Sequence, residues 1–115
     1  MSLDQHPIYL VVQDSIVVAD DIAETIREFS ENAEVTLCRS LEEARDVLAR
    51  ISRVDFAVLP RLSDAEELMR QLAQSRTRII VTSDGAPDAE VGPVFLPLPF
   101  TGDMLKDAIR RAGQS

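Results

Sequence analysis

The sequence predicts an α/β protein, a three-layer α/β/α sandwich on a five-stranded parallel sheet. Short apolar runs alternate with segments whose apolar residues recur at helical spacing, the pattern of parallel strands joined by crossover helices. No linker, internal repeat or low-complexity stretch interrupts that alternation. The 115 residues match the common size of a single domain, and residues 1–115 are read as one.

The first strand is expected over Ile8 to Gln13. A helix follows from about Ile16 to Phe29, where Val18, Ile22, Ile26 and Phe29 share a face. Glu34 to Cys38 is the second strand. Ser40-Leu41-Glu42-Glu43 has the form of a capping box, with a hydroxyl and a carboxylate placed to satisfy free backbone N–H groups. The helix it opens turns Leu41, Ala44, Val47, Leu48 and Ile51 inward. Val54 to Leu59 is the third strand, and Ser63 or Asp64 is suited to cap a helix reaching about Ala73. Arg78 to Thr82 and Val94 to Leu96 are the fourth and fifth strands. Thr101 caps a last helix that buries Leu105, Ala108, Ile109 and Ala112 and stops at Gly113. One crossover is thin. The segment Ser83 to Val94 includes Gly85, Pro87, Gly92 and Pro93, all unfavourable inside a helix, so it holds at most a turn or two.

Composition excludes several classes of function. Twelve basic residues against twenty acidic ones give a net charge of −8, a field that repels phosphate backbones, so no nucleic-acid partner is expected. No apolar stretch approaches the roughly 20 residues that span a bilayer, so no membrane partner is expected. Residues Met1 to Pro7 lack the basic and apolar regions of a secretion signal. The lone cysteine, Cys38, suits a reducing cytoplasm, and its apolar strand gives it a packing role.

In an open parallel sheet, sites form at the carboxyl ends of the strands. Here those positions hold Gln13, Asp14, Pro60, Arg61, Thr82, Ser83, Leu98 and Pro99. Asp55 starts its strand and belongs at the opposite end, whereas Asp64 and Asp84 read as a helix cap and a turn residue. His6 has no second histidine with which to bind a metal. There is no glycine-rich phosphate loop, Cys-x-x-Cys or Gly-x-Ser-x-Gly.

The order of these segments, with Asp14, Thr82, Phe95 and Pro99-Phe100 at matching places, resembles the CheY-like receiver domain of bacterial two-component response regulators from end to end. The resemblance implies a flavodoxin-like topology, with the helix between the fourth and fifth strands shortened or missing. It also implies a degenerate phosphorylation pocket formed by Gln13, Asp14, Pro60, Thr82 and Leu98. Gln13 and Asp14 stand at the acidic pair, Pro60 at the phosphate acceptor, Thr82 at the hydroxyl position and Leu98 at the lysine, while Phe95 is the switch-like aromatic. Mg²⁺ is usually caught by one or two carboxylates together with substrate oxygens. Without acceptor or lysine there is neither nucleophile nor charge clamp. The expectation is therefore a pseudo-receiver with no catalytic residue, metal or other cofactor, which is not an enzyme.

Such a module is expected to signal independently of phosphorylation, by binding a signalling protein or a second copy of itself. The fifth strand's edge and the exposed apolar residues Phe100 and Met104 form the candidate surface for a homodimer. Against that, Pro93 and Pro97 blunt the edge, which suits a monomer. Two other readings stand beside this one. The emptied pocket would admit a small molecule and make the chain a sensor, or the chain is an atypical phospho-acceptor.

Overall fold

The structure is a computed structural model that describes residues 6–51, 53–60, 65–83, 94–97 and 100–114. Five strands, β1 (Ile8–Val12), β2 (Glu34–Cys38), β3 (Phe56–Pro60), β4 (Arg78–Ser83) and β5 (Val94–Pro97), form one parallel sheet in the order β2-β1-β3-β4-β5. The helices are α1 (Ile16–Phe29), α2 (Leu41–Arg50), α3 (Ala65–Gln74) and α4 (Gly102–Gln114). The α/β flavodoxin-like architecture is the one expected. The crossover between β4 and β5 was expected to be short of a helix, but its residues 84–93 lie outside the described residues, as do the candidate caps Ser63 and Asp64.

Alternation along each strand divides the core into two layers. On one face Tyr9, Val11, Val58, Ile80 and Leu96 pack against Ile22 and Ile26 of α1 and Leu105, Ala108, Ile109 and Ala112 of α4. On the other, Leu10, Val12, Cys38, Ala57 and Leu59 meet Ala44 of α2 and Leu68 and Leu72 of α3. Truncating a fully buried leucine such as Leu59 to alanine would cost roughly 2–5 kcal/mol. Lys106 Nζ reaches Glu28 Oε1 at 3.2 Å, and the Arg110 guanidinium lies 5.5 Å from the centre of the Phe29 ring, so polar contacts also join α4 to α1.

The caps follow local chemistry. Ser15 Oγ accepts from Val18 N–H at 3.4 Å, Ser40 Oγ from Glu43 N–H at 3.1 Å, and Thr101 Oγ1 from Met104 N–H at 3.2 Å. Glu43 Oε1 reaches one residue further back than a capping box requires and accepts from Arg39 N–H at 3.0 Å rather than from Ser40. Gly113 does not stop the last helix, which runs on to Gln114. A Cβ built at Gly113 would meet Phe56 at 3.8 Å, an ordinary contact, so the packing there does not itself require glycine. Helix α3 ends differently. Thr77 N–H donates to the Leu72 carbonyl and Arg76 N–H to that of Ala73, both at 3.0 Å, and Arg76 sits at φ 65°. This is a Schellman motif with arginine where glycine is favoured.

Strand β3 begins at Phe56, two residues later than expected, because the residues before it serve the amino end of the sheet. Asp55 N–H donates to the Ile8 carbonyl at 2.9 Å, and its Oδ2 accepts from Ile8 N–H at 2.8 Å. The Asp55 carbonyl accepts from Arg78 N–H at 2.9 Å. Arg53 Nη2 donates to Asp55 Oδ2 at 3.1 Å and to the His6 carbonyl at 2.6 Å. Just inside this knot, Tyr9 stacks on its strand neighbour Phe56, with centroids 4.8 Å apart and planes 9° from parallel. Burial, with the Asp55 charge adding to it, pushes the Tyr9 phenol up to about 12.

Two outcomes follow. Arg76→Gly should raise stability by about 1 kcal/mol by removing a left-handed non-glycine residue, seen as a higher urea midpoint with an unchanged slope. The folded state holds Tyr9 neutral, whereas the unfolded phenol ionises near 10. Its contribution is therefore complete below pH 10 and is lost as pH rises towards about 12. Urea titrations across that window should show a steeper alkaline loss for the natural protein than for Tyr9→Phe.

Candidate functional site

The parallel register gathers the expected site residues at the carboxyl end of the sheet. Pro60 is the last residue of β3 and pairs with Thr82 of β4, which in turn pairs with Leu96 of β5. On the other side, Val11 is level with Val58, so two residues further along both strands Gln13 is level with Pro60. A proline in a central strand removes a ladder donor, and it is tolerated here because the strand ends with it.

Gln13 leaves β1 but keeps one more rung, donating its N–H to the Cys38 carbonyl at 2.9 Å. Its side chain is half-buried, and Oε1 lies 3.5 Å from Ser15 N–H, a contact at the outer limit. Asp14 follows in a bend and is exposed. Thus Gln13, Asp14, Pro60 and Thr82 come together across three adjacent strands, with one carboxylate among them. Phe95 lies in β5 beside Val81, but its side chain is outside the described set, and Leu98 and Arg61 are outside the described residues altogether.

Two buried threonines occupy contrasting environments. Thr77 Oγ1 donates to the Val54 carbonyl at 2.8 Å, a tight tie at the amino end. Thr82 Oγ1, at the carboxyl end, reaches the Leu59 carbonyl at 3.4 Å, long for a hydroxyl bond. That contact holds the Thr82 hydroxyl only weakly. Cys38, at the end of β2, is buried, and burial with the nearby Glu43 charge pushes its thiol up to about 11. A thiol so placed is a packing group and not a nucleophile.

The surface expected around the last helix needs correction. Phe100 and Met104 are half-buried and pack against the core layer beneath α1 and α4. The large apolar side chains that stand out are Ile16, 58% exposed, Val17, 72% exposed, and Leu37, 40% exposed. Ile16 and Val17 open α1, following Asp14 and the cap Ser15. Sequence reasoning passed over them, although both fall outside the stripe Val18, Ile22, Ile26, Phe29.

No family model matches the chain, and no curated protein matches it significantly. Solved structures do match. A response regulator from Thermotoga maritima aligns with a TM-score of 0.77 over 96% of this chain and 100% of its own, at 20% identity. Chemotaxis response regulator CheY4 of Vibrio cholerae gives 0.75 over 94% and 99%, at 22% identity. HP1043, an orphan response regulator of H. pylori, gives 0.75 over 92% and 95%, at 14% identity. The chain has the receiver fold. At these identities the likeness establishes architecture. Among the described residues of this receiver fold, no helix is long and apolar enough to cross a membrane.

The two threonines make a comparison that tests the site's geometry. Thr77→Val should cost about 1 kcal/mol or more, since it strands a buried carbonyl, whereas Thr82→Val should cost less than half as much. Paired urea denaturation curves measure the difference.

Proposed function

We propose that the chain is a receiver-like signalling module that works through protein contacts, without phosphoryl transfer at the end of β3. One observation carries the reading: the residue level with Thr82 at the end of the central strand is Pro60, which offers no side-chain oxygen. By the family resemblance this is the acceptor position. Its neighbour Gln13 is a neutral amide, and the exposed Asp14 is the remaining carboxylate of the pair. Leu98, at the lysine position by the same resemblance, adds no positive charge. A single carboxylate is too little to hold Mg²⁺ firmly, and nothing there attacks phosphorus.

The contact surface is supplied by the first turn of α1. Ile16 and Val17 offer exposed apolar area beside Asp14, with exposed Asp20, Asp21 and Glu24 further along the helix. Together with the net charge of −8, this suits a partner that presents a basic surface with an apolar centre. No catalytic residue or cofactor enters the reading.

Incubation with acetyl phosphate and Mg²⁺, followed by intact-mass measurement, tests it. The natural protein should gain no phosphoryl group, and Pro60→Asp alone should gain little. The double variant Pro60→Asp/Leu98→Lys should show Mg²⁺-dependent labelling, because it restores both nucleophile and charge clamp. Labelling of the natural protein would overturn the proposal.

A further inference from the structure

The geometry points to β2 as a self-association edge, at which a second copy of this chain adds antiparallel to extend the sheet. Strand β2 is at one end of the strand order and has a partner only in β1. In that pairing Glu34 N–H donates to the Pro7 carbonyl and the Cys38 carbonyl accepts from Gln13 N–H. Glu34, Thr36 and Cys38 therefore turn their main-chain groups towards β1. The N–H and C=O groups of Val35 and Leu37, between them, point away from the sheet and have no partner among the described residues.

The two edges of the sheet differ. Natural edges are blunted by proline, lysine or bulges. Strand β5 carries Pro97, which has no N–H to offer, whereas β2 reads Glu-Val-Thr-Leu-Cys, without proline, glycine or lysine. It also carries Leu37, 40% exposed. Leu37 pairs with Val11, and Val35 with Tyr9, so both point to the face covered by α1.

A two-fold axis normal to the sheet, level with Thr36 and midway between the two strands, fits this edge to itself. Val35 then opposes Leu37 of the second copy, and Leu37 opposes its Val35. These are the residues with outward main-chain groups, so each pair exchanges both hydrogen bonds. Directly opposite residues share a face, so the pair is also an apolar contact that covers the exposed Leu37. Thr36 meets Thr36 at the axis, a favourable cross-strand pair. Because the interface is isologous, it closes at a dimer and does not propagate. This inference stands apart from the signalling reading and survives if that reading fails.

Sedimentation velocity over a rising concentration series tests it, together with hydrogen exchange. The natural protein should pass from monomer to dimer, and the amides of Val35 and Leu37 should gain protection with concentration while that of Thr36 does not change. Leu37→Lys should remain monomeric over the same range with an unaltered circular dichroism spectrum and melting curve. A natural protein that sediments as a monomer throughout would overturn the inference. So would a dimer that Leu37→Lys leaves intact.

Discussion

Asp55 is the point from which the sheet is aligned. Its main chain and carboxylate hold both the N–H and the C=O of Ile8, and its carbonyl holds Arg78. Three strands are therefore brought level at their amino ends by one residue. A slip of one position in any of them would turn its buried side chains to the wrong face. The same alignment, carried along the strands, decides which residues stand side by side at the far end. Gln13, Pro60 and Thr82 are neighbours there because Ile8, Asp55 and Arg78 are bound together here.

That far end shows two kinds of polar group in one sheet. The amino end is closed, with Thr77, Arg53 and Asp55 each in short hydrogen bonds that serve the fold. Among the described residues of the carboxyl end, Thr82 makes a long contact and Gln13 a marginal one. Groups whose hydrogen bonds are weak within the fold can change partner at little cost.

Much of this was legible from local pattern. The stripe Leu105, Ala108, Ile109, Ala112 is buried as its spacing required, and Thr101 and Ser40 cap where their hydroxyls fall. The Asp14, Pro60 and Thr82 positions could be placed because strands end where their apolar runs end. What failed depended on distant neighbours. Phe100 and Met104 look free from sequence, and only the docking of α4 beside α1 covers them. Gly113 has a helix-ending residue type, yet the helix runs on to Gln114. Arg76 gives no signal of its left-handed conformation, since the demand comes from the Leu72 and Ala73 carbonyls. The outward groups of β2 become visible only when strand order is known.

The two core layers close at different points along the chain. The layer beneath α2 and α3 draws on residues from Leu10 to Ile79, whereas the layer beneath α1 and α4 needs Leu105, Ala108, Ile109 and Ala112. A polypeptide emerging from the ribosome can therefore bury one side while the other, with Tyr9, Ile22 and Ile26, still waits for α4. During synthesis that uncovered layer is the surface a chaperone would shield, and the nascent domain becomes self-sufficient only when its final helix is free.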